Sequence, residues 1–155
     1  MPQEMDVEET DGHLVVQEAE DLLDNDEIVE ALTRIQTLRG KILDSSARGR
    51  AMAVEAVCLL ELDKGEEMKT LIEGFMEEES EDFAFILGAG MEFCDLGEFE
   101  QAEQFLRNLC NLDTESALPW FHLAFTLGCS ERYKEALDAY NVALERDPDF
   151  VECFL

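Results

Sequence analysis

Basic residues are scarce in this chain of 155 residues, in which 11 Lys and Arg side chains stand against 38 Asp and Glu, for a formal net charge of −27. Such a surface repels nucleic-acid phosphates and anionic lipid headgroups, because binding to either depends on clustered positive charge. We therefore expect neither nucleic acid nor membrane as a partner. The same charge would attract basic proteins. A merely solvated acidic face would have the same composition, so both interpretations remain open.

Long apolar runs are also lacking. The longest one, residues 83–91, is far shorter than the roughly 20 residues that a membrane-spanning helix needs. The N-terminal residues 1–6 are acidic and contain no apolar core of a signal peptide. Together these absences predict a cytoplasmic protein.

The sequence has none of the usual spacings of catalytic or metal-binding side chains. Its five cysteines form no C-x-x-C pair, a pattern typical of a reducing compartment, where cysteine acts as a small apolar residue. His13 and His122 have no Cys, Asp or His partner at triad or ligand spacing. A calcium loop that began at Asp24 would need an oxygen donor where Ile28 stands. We therefore predict no catalytic residue, no metal site and no cofactor, and so not an enzyme.

What the chain has instead is a repeat with a period of 34 residues. When residues 83–116 are placed above residues 117–150, small, apolar and acidic positions fall into the same columns. The columns pair Gly90 with Ala124, Phe93 with Leu127, Phe99 with Tyr133, Ala102 with Ala136, Leu106 with Tyr140 and Asp113 with Asp147. This period is typical of helix–turn–helix units, which must stack on neighbours because one unit cannot bury its apolar face alone.

Apolar residues within each row follow the spacing of amphipathic helices. Ala102, Phe105, Leu106 and Leu109 recur at intervals of three and four residues, and no segment alternates as a strand would. We predict an all-α fold, an α-solenoid of antiparallel helix pairs. The predicted helices are 13–24, 27–42, 49–61, 66–78, 83–95, 99–111, 117–128 and 132–146.

The last row closely resembles the tetratricopeptide repeat (TPR) family. The residues that carry the resemblance are Trp120, Leu123, Ala124, Leu127, Ala136, Tyr140, Ala143 and Pro148. One departure is Glu131, where the family prefers Gly in the turn between helices, and we expect Gly128 and Ser130 to serve instead. The resemblance implies a TPR-like α/α superhelix. It also implies the repeat-packing positions Gly90, Ala102, Trp120, Ala124, Ala136, Tyr140, Ala143 and Pro148.

The repeat pattern also divides the chain into segments. We predict a disordered acidic tail at 1–11 and a TPR-like helical repeat domain at 12–150. Residues 151–155 would form the start of a further repeat or a C-terminal stub. The rows of the domain are 12–45, 49–82, 83–116 and 117–150, with three extra residues in the stretch 45–48. A solenoid normally ends in a polar capping helix, so an uncapped C-terminal end would favour a homo-oligomer.

In the TPR family the first helix of each pair lines a concave surface that holds partner proteins. The matching positions of this chain are mostly apolar, and a contiguous apolar patch usually marks an interaction site. The implied partner-binding groove consists of Ala53, Val57, Leu87, Met91, Cys94, Leu118, Phe121, His122 and Phe125. The alternative is that a neighbouring helix or the chain's own terminus covers this face.

These positions also separate the possible functions. TPR domains that dock chaperones hold C-terminal carboxylates with Lys, Arg and Asn, whereas this chain has Leu87, Met91, Phe121 and Phe125 at those places. We expect a non-catalytic scaffold or adaptor that binds an extended or helical protein segment, apolar or basic in character. The stretches 99–110 and 151–155 are similar to translocator chaperones of type III secretion, so a cytosolic chaperone for a hydrophobic secreted protein is an alternative. The TPR part of a larger enzyme, and an acidic protein that binds basic proteins by charge alone, also remain open.

Overall fold

A computed structural model describes residues 11–150, and in that range the backbone forms eight α-helices and no strand. The all-α prediction is therefore confirmed. The helices are α1 Gly12–Asp24, α2 Ile28–Leu38, α3 Ser45–Glu61, α4 Gly65–Glu78, α5 Phe83–Asp95, α6 Phe99–Leu112, α7 Leu118–Cys129 and α8 Tyr133–Arg146. A 3-10 turn, Arg39–Lys41, continues α2, so the predicted helix 27–42 ends earlier as an α-helix than expected. Among the described helices, none is long and apolar enough to cross a membrane.

The first helix begins at a capping carboxylate. Asp11 accepts hydrogen bonds from the backbone N–H of His13 at 3.1 Å and of Leu14 at 3.2 Å. These bonds occupy amides that have no partner inside the helix. Asp11 therefore belongs to the folded domain and not to the tail predicted at 1–11. The rest of that tail, and the segment 151–155, lie outside the described residues.

The third helix begins four residues earlier than the sequence pattern predicts. Asp44 caps it by accepting from the backbone N–H of Ala47 at 2.8 Å, and the helix starts at Ser45 instead of residue 49. The extra residues of this row therefore lengthen the first turn of α3. Asp82 caps α5 in the same way, accepting from the N–H of Phe85 at 3.1 Å.

In each helix pair the first helix is joined to the second by the same left-handed turn. Positive φ angles occur at Asp26 (63°), Asp63 (60°), Gly97 (81°) and Glu131 (64°). The next amide in every case donates to the carbonyl five residues back, as Arg132 does to Leu127 at 2.9 Å. This closure satisfies carbonyls at the end of the first helix. The expectation that Gly128 and Ser130 replace the missing glycine is wrong, because Glu131 itself adopts the left-handed conformation.

The backbones of α3 and α5 are in direct contact. A Cβ atom on Gly49 would lie 2.1 Å from the carbonyl oxygen of Phe85, and one on Gly88 would lie 2.4 Å from that of Ser46. Only glycine therefore permits this approach. Helix α3 also packs against α1, α2 and α4, so it is enclosed along most of its length.

Two apolar clusters meet at α3 and form the core. Ala51, Val54 and Cys58 pack with α1 and α2, whereas Met52 and Ala56 pack with α5 and the helices that follow. The small residues of the repeat lie at these contacts. Ala102, Ala124, Ala136 and Ala143 are buried, Trp120 and Tyr140 are half-buried, and a Cβ on Gly90 would lie 3.0 Å from Leu106. Pro148 is exposed beyond the end of α8, so it does not take part in this packing.

The turn at Glu131 generates a first prediction. Glu131→Gly should increase the free energy of unfolding by about 0.5–1 kcal/mol, because glycine adopts positive φ without the steric cost of a Cβ atom. Urea denaturation measures the change. Glu131→Ala is the control, since it removes the same charge and keeps the Cβ atom. An equal gain in both variants would attribute the effect to charge and contradict the explanation.

The α3–α5 contact generates a second prediction. Gly88→Ala should decrease the free energy of unfolding by about 2–3 kcal/mol, because its Cβ would collide with backbone that cannot move aside cheaply. Gly74→Ala is the matched control, because no atom lies within 4 Å of that Cβ on α4. Alanine is the better helix former, so this control should be neutral or stabilised by up to about 1 kcal/mol. A Gly88→Ala variant as stable as the control would show that the close contact is not required.

Candidate functional site

An apolar pocket opens between α5 and α7. We call it the α5–α7 pocket; its volume is about 200 Å³, and its lining residues are Met91, Cys94, Asp95, Leu106, Phe121, His122, Phe125 and Thr126. Helix α6 packs against both α5 and α7 and keeps them largely apart, whereas α3 and α5 touch directly. The pocket therefore lies where two first helices of adjacent pairs separate, and Leu106 of α6 contributes to its wall.

Two side chains of the pocket are exposed to solvent. Met91 is 40% exposed and Phe125 is 49% exposed, although both are apolar. Phe121 lies deeper and packs against the rings of His122, Tyr140 and Phe150, with centroids 5.1, 6.1 and 5.5 Å away. Phe121 therefore belongs to the wall, and Met91 and Phe125 form the accessible apolar surface.

The histidine and the cysteine of the pocket are held in their neutral forms. Burial lowers the pKa of His122, and burial raises the pKa of the Cys94 thiol, so both side chains are uncharged at neutral pH. The hydroxyl of Thr126 donates to the carbonyl oxygen of His122 at 2.9 Å. Asp95 is the one lining residue that carries a carboxyl group.

The structure brings together five of the residues predicted for the groove, namely Met91, Cys94, Phe121, His122 and Phe125. Leu87 and Leu118 are half-buried and do not line the pocket. Sequence reasoning did not include Leu106 or Thr126. Leu106 belongs to a second helix of a pair, and the rule that assigns the groove to first helices overlooks such positions.

The prediction that Ala53 and Val57 line the groove is wrong. Ala53 is 0% exposed and Val57 is 7% exposed, and both belong to the core between α3 and α5. The close approach at Gly49 and Gly88 buries them. The predicted groove therefore does not extend to the second helix pair at these two positions.

A partly buried cluster of ionisable side chains lies beside the pocket, across α1, α3 and α5. Arg50 donates from Nε to Glu92 at 3.1 Å and from Nη2 to Glu20 at 3.2 Å, and its Nη1 lies 2.9 Å from Nδ1 of His13. Glu92 is only 1% exposed. Burial, and then the nearby carboxyl of Glu20, raise the pKa of Glu92 to about 8. Burial, and then Glu20, also raise the pKa of Asp95, so the pocket and this group adjoin at Asp95.

A second, wider cavity of about 600 Å³ lies between the 3-10 turn and α4. Two of its lining residues are arginines, but Arg39 is paired with the buried Glu55 at 2.8 Å and Arg48 is paired with Glu79. Its positive charge is therefore already compensated, and the α5–α7 pocket is the stronger candidate site. Across residues 11–150, no group of three or more His, Cys, Asp or Glu side chains is arranged to hold a metal ion.

Comparison with known proteins supports the fold and nothing finer. No protein-family model and no curated protein matches the chain. Among solved structures, YrrB, described as a TPR protein with an unusual peptide-binding site, matches with a TM-score of 0.51 at 15% identity, covering 91% of this chain and 71% of YrrB. MamA AMB-1 matches with a TM-score of 0.50 at 15% identity, covering 93% of this chain and 83% of MamA. The chain thus has a TPR-type fold, a solenoid of antiparallel helix pairs.

Proposed function

We propose that this protein is a non-catalytic TPR scaffold that binds a segment of a partner protein at the α5–α7 pocket. The observation that carries the proposal is the exposure of Met91 and Phe125 at the mouth of an apolar pocket in a strongly acidic protein. Apolar surface of this kind usually marks an interaction site. Met side chains adapt their shape to different partners, which suits a surface that holds a protein segment.

The size and lining of the pocket favour a side chain over a small molecule. Pockets for small molecules typically measure about 300–1,000 Å³, whereas this one has about 200 Å³. Its neutral polar groups place no strong hydrogen-bonding demand on a ligand. We infer that one large apolar side chain of the partner, the anchor, enters the pocket while the rest of the segment lies along the exposed rim.

Cys94 and His122 line the same pocket, so cysteine catalysis needs a separate argument. A nucleophilic cysteine requires a lowered thiol pKa, which a neighbouring histidine cation provides. Here burial raises the pKa of Cys94 and lowers the pKa of His122, so each group is held in its neutral form. Both shifts are opposite to those of an activated pair, and we assign the two residues to the wall of a binding pocket.

The proposal includes a reducing, cytoplasmic location. Cys58, Cys94, Cys110 and Cys129 are free thiols, and the first three are buried among apolar residues. The chaperone alternative uses the same pocket, because a hydrophobic secreted segment would present the same apolar anchor. The identity of the captured partner separates an adaptor from a chaperone.

Capture of a partner from the native host tests the proposal. Phe125→Asp should reduce the captured amount at least tenfold, because a buried carboxylate without a partner opposes binding of an apolar anchor. Capture is performed at about 0.5 M salt, where attraction between exposed charges is largely screened. Captured proteins are quantified by mass spectrometry.

Leu137→Asp is the matched control, since it adds the same charge at an apolar residue of α8 that is 60% exposed and does not line the pocket. It should retain capture. Circular dichroism and thermal unfolding verify that both variants remain folded. Equal capture by wild type and the folded Phe125→Asp variant would contradict the assignment of the site.

A further inference from the structure

The carboxylates beside the pocket outnumber the cation that neutralises them. We call Glu20 of α1 together with Glu92 and Asp95 of α5 the acidic cluster; Arg50 of α3 is the guanidinium bonded within it. Arg50 reaches Oε2 of Glu92, but Oε1 of Glu92 has no hydrogen-bond donor among the described residues. The carboxyl of Glu92 instead lies close enough to that of Glu20 to share a proton with it, and this proximity, after burial, raises the pKa of Glu92. A second cation at the cluster would take the place of that shared proton.

Asp95 connects the acidic cluster to the α5–α7 pocket. Its side chain lines the pocket, and it is close enough to Glu20 for that carboxyl to raise its pKa, after the larger effect of burial. Asp95 is also the last residue of α5, where the helix dipole adds negative potential and favours a cation. No basic residue occupies the last turn of α1, α3 or α5, and Arg50, the cation near Asp95, is already bonded to Glu20 and Glu92.

We propose that the bound segment carries a lysine or arginine close to its apolar anchor, and that the acidic cluster binds this cation while the α5–α7 pocket holds the anchor. The inference rests on the proposed function and adds a charge requirement to it. The net charge of −27 supports it, because this surface repels acidic segments and attracts basic ones before contact.

The cluster should hold a proton when no partner is bound. The groups that face it are Glu20 and His13 from α1, Arg50 from α3, and Glu92 and Asp95 from α5, with Asp44 3.3 Å from His13. Burial and Glu20 raise the pKa of Glu92, so protonated Glu92 prevails below that pKa. A bound cation favours the ionised form and displaces the proton. Affinity for a basic segment should therefore rise as the pH increases through the pKa of Glu92.

Selection from a phage-displayed library of random dodecapeptides tests the inference without a known partner. The selection is run in parallel at about 0.15 M salt against four targets, namely wild type, Phe125→Asp, Asp95→Asn and Glu73→Gln. Glu73→Gln is the control for charge, since it removes one exposed carboxylate from α4, which does not line the pocket. Wild type and Glu73→Gln should enrich peptides with an apolar residue and a nearby lysine or arginine. Asp95→Asn should keep the apolar residue and lose the basic one.

The outcomes separate the two proposals. If wild type enriches no more peptides than Phe125→Asp does, the proposed function itself fails. If wild type enriches apolar peptides without lysine or arginine, or Asp95→Asn enriches basic residues as strongly as wild type, the pocket stands and the cation site is overturned.

The quantitative test compares the affinities of two peptides. One is a selected arginine peptide, and the other is the same peptide with glutamine in place of arginine. Asp95→Asn should weaken the arginine peptide about fivefold to tenfold and leave the glutamine peptide unchanged, because only the former pairs with the carboxylate. Fluorescence anisotropy measures both. Equal effects on the two peptides would overturn the inference, since they would show that Asp95 acts on the pocket in general.

The pH dependence of the same two peptides is the second readout. Between about pH 7 and pH 9, wild type should bind the arginine peptide severalfold more tightly as the pH rises, because the guanidinium stays charged while Glu92 ionises. The glutamine peptide should show no such rise, and Glu92→Gln should abolish it for the arginine peptide. An affinity that is flat with pH in wild type would overturn the role of Glu92.

Discussion

The backbone contact between α3 and α5 is the constraint on which the rest of the structure depends. Two glycines, Gly49 and Gly88, lie against carbonyl oxygens of the opposite helix, and no side chain could take their places. Because the two helices touch, α3 is enclosed by its neighbours and carries both halves of the core. The same contact closes the concave surface at this point, since Ala53 and Val57 become core residues.

The spacing between α5 and α7 differs from that between α3 and α5, and this difference explains where a pocket can form. There α6 packs between the two helices and holds them largely apart, which leaves the α5–α7 pocket beneath Met91 and Phe125. The same repeat thus leaves no space between the first helices α3 and α5, but leaves a pocket between the first helices α5 and α7. The difference arises from side-chain size at the helix contacts, since one repeat after Gly49 and Gly88 the chain has Phe83 and His122, whose side chains prevent the same close approach. Location of the site is therefore a consequence of packing and not of the repeat pattern alone.

Sequence predicted the helices well because their determinants are local. The 34-residue period and the three- and four-residue apolar spacing are visible in the chain itself. The capping carboxylates Asp11 and Asp44 are equally local, but the pattern assigns Asp11 to the tail and begins the third helix at residue 49. Met91, His122 and Phe125 also followed from the pattern. The burial of Ala53 and Val57 did not, because it depends on how closely two helices approach. Nor did the group of Glu20, Arg50 and Glu92, which are distant in sequence and become neighbours only when α1, α3 and α5 pack together.

The close contact between α3 and α5 also fixes the position of Arg50 relative to Glu92 and Asp95. Arg50 lies one residue after Gly49, and Glu92 and Asp95 follow Gly88 on α5 by about one and two helical turns. The contact that excludes side chains at the glycines therefore fixes the guanidinium relative to both carboxyls. A site held by rigid helices loses little conformational entropy when a partner binds. Burying Glu92 costs stability that an apolar residue would avoid, and Arg50 compensates only part of this cost because it bonds one oxygen of Glu92 and also serves Glu20. Rigid placement of more carboxyls than cations next to an open apolar pocket is what supports the proposed binding of a basic segment there.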